Sequence, residues 1–170
     1  MASLSAPRDT AEYVDNTFVT ATVASDTTIY AGALVAINTS GKAIPAADAT
    51  GIRSVVGRAE FTATAGQAIK IKRGVFGWNN DTTNAVEATD IGKTAYVVDD
   101  HTVSDTAGSY SVVAGVIKGL NADGTVRVAP LPLGAVAPGP AVADLTAAGD
   151  LTYTKINAIL ASLRAAGVLS

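Results

Sequence analysis

The chain predicts a mainly β fold, a small β-barrel or β-sandwich body followed by a Pro/Gly linker and a C-terminal α-helix, and three observations point to it. From Thr17 to about Leu131, short β-branched and apolar runs alternate with Gly, Asn and Asp clusters, the pattern of many short strands joined by turns. Pro130, Pro132, Pro138 and Pro140, with Gly134 and Gly139, then break any regular ladder. Beyond them, Ile156, Ile159, Leu160 and Leu163 fall at i, i+3, i+4 and i+7, which lines one face of a helix.

In chain order, residues 1–16 form a polar N-terminal arm, because neither a period of 2 nor one of 3.6 runs long enough there to anchor an element. Residues 17–131 make the β-rich body. Its predicted strands are Phe18 to Val23, Ala33 to Asn38, Val55 to Thr62, Ala68 to Phe76, Thr94 to Val98, Tyr110 to Lys118 and Thr125 to Ala129. Thr39-Ser40-Gly41-Lys42 and Thr64-Ala65-Gly66-Gln67 supply reversals. Asn121-Ala122-Asp123-Gly124 places residues tolerant of positive φ between the last two strands, which predicts a β-hairpin over Gly115 to Ala129. Residues 132–151 read as a semi-extended linker. Residues 152–170 hold the amphipathic helix, with Thr152 or Thr154 as N-cap and Gly167 suited to the αL position that ends it. A helix of about 12 to 15 residues is marginal alone in water, so its aliphatic stripe must dock either on the β body or on copies of itself.

Composition narrows the function. At 170 residues, 48% hydrophobic and 16% charged, the chain should bury about 70% of its unfolded surface and hold a core without staples. It has no cysteine, so disulfides and thiolate chemistry are excluded. Twelve Lys+Arg against fifteen Asp+Glu give a formal charge of -3, which argues against a nucleic-acid partner. No apolar run approaches the roughly 20 residues a membrane span needs, and the first sixteen residues carry Arg8, Asp9, Glu12 and Asp15 rather than a secretory apolar core. Neither a membrane nor a secretory route is therefore expected.

Motifs for catalysis, cofactors or metals are sparse. Gly92-Lys93-Thr94 has the ending of a phosphate-binding loop, but Glu87 stands where the first glycine is required, so the segment should simply lead into the strand at Thr94. The single histidine, His101, follows Asp99 and Asp100. Neighbouring residues of a strand point to opposite faces, so these three can converge only if the chain turns, and a polar loop is the expectation. Asn79-Asn80-Asp81-Thr82-Thr83-Asn84 offers oxygens but lacks the carboxylate spacing of a calcium loop and reads as a turn. A hydrolase would need paired carboxylates at a defined separation, for which no motif speaks. No catalytic residue, cofactor or metal ligand is assigned, and an enzyme is not expected.

One strand is more informative. In Lys70-Ile71-Lys72-Arg73, Lys70 and Lys72 share one face while Ile69, Ile71 and Arg73 share the other. Such a strip is either an edge guarded by lysines or a rim contact for an acidic surface.

Taken in order, Val56-Gly57-Arg58-Ala59-Glu60, Ile71-Lys72-Arg73-Gly74-Val75-Phe76 and Asp90-Ile91-Gly92-Lys93-Thr94-Ala95-Tyr96-Val97-Val98-Asp99-Asp100 resemble the head decoration (capsid cement) proteins of tailed bacteriophages. His101-Thr102-Val103, Ala114-Gly115-Val116 and Asp123-Gly124-Thr125-Val126-Arg127-Val128 continue the likeness, which runs roughly from Asp15 to Ala129. The segment around Lys155 to Gly167 is more loosely similar to tails of phage particle proteins, including head fibres. The resemblance implies a non-catalytic β body on the outer surface of the capsid, made in the bacterial cytoplasm, contacting the major capsid protein, commonly as a homotrimer. Contacts to capsid or sister subunits would then fall to Arg8, Lys70, Lys72, Arg73, Ile156, Ile159, Leu160 and Leu163. The competing expectation is a phage fibre or glycan-binding module displayed on the particle.

Overall fold

The computed structural model describes residues 17–132, 158 and 160–163. The chain divides into two compact units, Met1–Leu131 and Pro132–Ser170. Among the described residues, the first is built of β-strands and one 3-10 turn at Ala88–Asp90, and the second holds a short helix seen at Ala158 and Leu160 to Leu163.

Two strand systems make up the body. In the first, β1 (Phe18–Thr22), β3 (Leu34–Asn38), β4 (Ala43–Pro45), β5 (Ile52–Ala59) and β7 (Ala68–Lys72) form an antiparallel sheet ordered β1-β7-β5-β3-β4. The sheet rolls until its two ends touch. Val23, just past β1, makes a parallel bridge with Ala43, and the Ala24 N–H donates to the Ala43 carbonyl at 2.9 Å. A two-stranded ribbon of β2 (Thr28–Ile29) and β6 (Ala63–Thr64) contributes Ile29 and Ala63 to the interior, where Val23, Val35, Val56, Ile69 and Ile71 pack.

The second system is a closed barrel of β8 (Phe76–Asn80), β9 (Thr94–Val97), β10 (Thr102–Ser104), β11 (Val113–Leu120) and β12 (Val126–Ala129), ordered β10-β8-β12-β11-β9. Alternation fills it: Val126 and Val128 point inward while Arg127 between them is exposed, and Trp78, Ala95, Val97, Val103 and Ile117 complete the packing. Closure depends on tight backbone approach. A Cβ on Gly115 would run into the carbonyl of Ala129, so glycine is what lets β11 lie so near β12. Gly57 plays the same part in the first sheet, where a Cβ would strike the Lys72 carbonyl.

Strand β3 joins the two systems. Val35 packs into the first core, whereas Leu34 and Ala36 belong to the second together with Val55 of β5. Strand alternation sends adjacent Val55 and Val56 of β5 to different cores, beside an irregularity in register where β5 faces Val35 and Ala36. The Leu34 N–H adds a hydrogen bond of 2.6 Å to the carbonyl of Asp100, which lies between β9 and β10.

The long strands lie near where the sequence places them, with four differences. The segment Ala68 to Phe76 is not one strand: β7 ends at Lys72, and after Arg73-Gly74-Val75 the chain leaves the first sheet and enters the barrel as β8. Asn79 and Asn80, assigned to a turn by their composition, end β8 instead. The Asn80 amide takes both roles of a paired backbone, donating to the Val86 carbonyl at 2.9 Å and accepting from its N–H at 2.8 Å. The third strand lies a few residues earlier than expected, at Ile52–Ala59 rather than Val55 to Thr62, and the sixth a few residues later, at Val113–Leu120 rather than Tyr110 to Lys118.

Candidate interaction surface

Four features of the described residues are open to partners: the strip around Lys70 and Lys72, the turn at Asp99–His101, the cleft beside Asp48 and Asp81, and a few exposed aromatic side chains.

The positive strip is real, and it is not on an edge strand. β7 lies between β1 and β5, with Lys70 opposite Thr20 and Lys72 opposite Phe18 and Arg58. The pleat buries Ile69 and Ile71 completely and turns both lysines to the other face. The Lys70 ammonium leans over the ring of Phe18, 3.8 Å from its centroid, and that of Lys72 is 6.0 Å away. Phe18, the first residue of the outermost strand, is 42% exposed. Its part in the strip was missed because alternation ties residues within one strand, and nothing local announces which strand pairs alongside.

Arg73 is separated from the two lysines. Its guanidinium donates to the Leu131 carbonyl at 2.6 Å, so it fastens the end of the body. Arg58 stands on the lysine face instead, paired with Glu60 at 2.6 Å and 4.6 Å above the Phe76 ring. That guanidinium, aided by the charges of Lys72 and Lys70, holds the Glu60 carboxyl below the usual carboxylate range. Arg8, Ile156 and Ile159 lie outside the described residues. Leu160 and Leu163 are helical and half-buried.

At the second feature the chain does turn, and Asp99, Asp100 and His101 come together with their ligand atoms within 4.8 Å of one another. His101 Nδ1 lies 2.9 Å from Asp100 Oδ1 and 3.1 Å from Asp99 Oδ1. The hydrogen bond to Asp100 and the charges of both carboxylates raise the imidazole pKa, against a smaller opposing effect of burial. The backbone beneath is tied down, since the His101 carbonyl accepts from the Asn79 N–H at 2.8 Å and the Asp100 carbonyl from Leu34.

The Gly92-Lys93-Thr94 run opens a strand, as its incomplete motif implied. Lys93 pairs with Asp90 at 2.9 Å, and the other Asp90 oxygen accepts from the Glu87 N–H at 2.8 Å. These contacts, the Glu87 N–H first and the Lys93 ammonium next, depress the Asp90 pKa. Beyond Asn80, the Asx-rich segment behaves as a turn. Asp81 Oδ2 accepts from the Asn84 N–H at 3.0 Å, and this bond leads the causes that lower the Asp81 pKa.

No family model, curated protein or solved structure matches this chain. The remaining features therefore stand on geometry alone. A cleft of about 210 Å³ opens beside β9 and β10, with Asp48, Asp81, Asn84, Ser104 and Gly108 on its walls. Asp48 reaches it across the fold and accepts from the Tyr110 N–H at 3.1 and 3.3 Å, a contact 62 residues distant that no local pattern could reveal. Exposed aromatic rings at Tyr30, Phe61 and Tyr110 complete the surface.

Proposed function

We propose that this chain is a structural virion protein that binds the outer surface of a tailed-phage capsid and stabilises the shell. The observation that carries the proposal is the resemblance over Gly92 to Asp100, the most specific stretch of likeness to head decoration proteins. That stretch comprises Lys93, which pairs with Asp90, strand β9 and the carbonyl that holds Leu34. A rigid β body with a cationic, aromatic-backed strip suits a role in which affinity comes from shape and repetition. A partner that binds only the assembled shell stabilises it by mass action, and several weak footholds joined in one oligomer gain avidity. We infer the major capsid protein as partner and a homotrimer as the assembled form, with Lys70 and Lys72 as rim contacts to an acidic surface.

Electron microscopy of particles assembled with and without the protein, alongside their melting profiles, tests this. Added density on the outer shell and a higher melting temperature are expected; unchanged density and unchanged melting overturn the proposal.

A second reading, a fibre or glycan-binding module displayed on the particle, is favoured by Tyr30 and Tyr110, 65% and 57% exposed, as rings against which a sugar face can pack. Binding on a glycan array that Tyr30→Ala and Tyr110→Ala abolish would support it, and an array without hits would retire it.

A further inference from the structure

The two ends of the first sheet are guarded differently. β4 is three residues long and ends in Pro45, two devices that discourage pairing. β1, Phe-Val-Thr-Ala-Thr, has no proline, charge or bulge of its own. The Thr17 carbonyl accepts from the Arg73 N–H, and the Val23 N–H donates to the Gln67 carbonyl, both at 2.9 Å. In an antiparallel ladder this phase assigns Val19 and Ala21 to β7 as well, and it directs the N–H and C=O of Phe18 and Thr20 away from β7. Past Thr22 the edge is closed by the bridge to Ala43. The two faces beside this short opening differ in kind. Val19 and Ala21 are half-buried against the first core, while Phe18 and Thr20 share the outer face with Lys72 and Lys70.

We propose that the chain's own segment Ala11 to Val14 folds back on this edge as an added antiparallel strand, with Glu12 opposite Thr20. Contiguity chooses the occupant. The segment is joined to β1 through Asp15-Asn16-Thr17, in which Asp and Asn favour a reversal and the chain bends at Thr17. So short a tether holds the segment at an effective concentration of roughly a millimolar or more, far above that of a second copy in dilute solution. Side chains choose the register. With Glu12 opposite Thr20, its carboxylate shares the face of Lys70, and Val14 lies beside Phe18. Tyr13 and Ala11 then fall opposite Val19 and Ala21 and extend the first core over its half-buried margin. A shift of one residue in either direction would turn Glu12 inward, opposite Val19 or Ala21, and a shift of two would bring Asp9 opposite Ala21. Each alternative sets a carboxylate against apolar side chains. The folded-back strand covers the open groups of β1 and answers one lysine of the strip, whatever surface the protein coats.

The test uses full-length chains: the parent, Val14→Pro, Glu12→Lys, and the charge swap Glu12→Lys/Lys70→Glu. Amide exchange at Phe18 and Thr20 is read across about a hundredfold range of protein concentration. In the parent, both amides should exchange about tenfold or more slower than in an unstructured peptide, equally at every concentration. Val14→Pro removes a donor the added strand needs and should abolish this protection. Glu12→Lys should weaken it several-fold by setting two cations together, and the charge swap should restore it. Fast exchange in the parent overturns the proposal. Protection that grows with concentration also overturns it, because the occupant would then be a second copy. So does protection that survives Val14→Pro, or a charge swap no better than Glu12→Lys alone.

Discussion

The two halves of the body solve one problem in opposite ways. In the closed barrel every strand has a neighbour on both sides, and no row of backbone groups is left over. In the rolled sheet, β1 and β4 meet at a single bridge, and among the described residues β1 has β7 as its one ladder partner. Both interiors are built of buried hydrophobic side chains, aliphatic but for Trp78 in the barrel, so the difference lies in closure rather than in hydrophobicity. Closure uses up the backbone groups of every strand, and an incomplete seam does not.

Mutations of matched size sharpen this contrast. Ile117 in the closed barrel and Ile71 in the rolled sheet are both fully buried. Truncating such a residue to alanine costs about 2 to 5 kcal/mol, depending on how far the surroundings collapse into the space left. Ile117→Ala should fall near the top of that range, because a closed ring cannot contract, and Ile71→Ala near the bottom, because the seam can. Chemical denaturation of the two variants measures the gap, and equal losses would show that closure does not govern relaxation here.

Acid should act next, through the closed barrel. The folded-state pKa of Asp90 is depressed, so its stabilising contribution is present above the unfolded value of about 3.9 and is lost as pH falls through the lower folded value. The parent should lose stability below about pH 4, and Asp90→Asn should flatten part of that decline. Thermal melts from pH 6 to pH 2 read it directly, and identical slopes would break the assignment.

The smallest effect belongs to His101, at the junction of the halves. Its folded pKa is raised, so its contribution is complete below the unfolded value of about 6.5 and disappears as pH rises through the folded one. Parent melts should show a slight decline on crossing that interval upward, and His101→Ala should not. NMR titration of the imidazole checks the direction of the shift independently.

How much of this was written in the sequence depends on the range of each interaction. The long strands were legible because alternation acts between residues two apart, and Ile69, Ile71, Val126 and Val128 are buried as it demands. β2 and β6, two residues each, and β10, three residues long, were not legible, since so short a run has no period to read. β4 escaped notice because Pro45 argues against a strand unless the strand is an edge, which only the sheet order reveals. The same limit applies to the surface. Lys70 and Lys72 were picked out together, but Phe18 beneath them and Asp48 across from Tyr110 are neighbours by topology alone. The Asp99–His101 cluster was seen as a string of residues, and it needed the turn to become a cluster.

Strand β3 has a consequence for anyone who would take this molecule apart. Its alternate side chains serve two interiors, so neither half can be lifted out as a module without exposing an oily wall along the cut. Changes at Leu34, Val35 and Ala36 answer to both sides at once. Grafted cargo is better carried at the Thr39–Lys42 reversal, beyond that shared partition, than by either half alone.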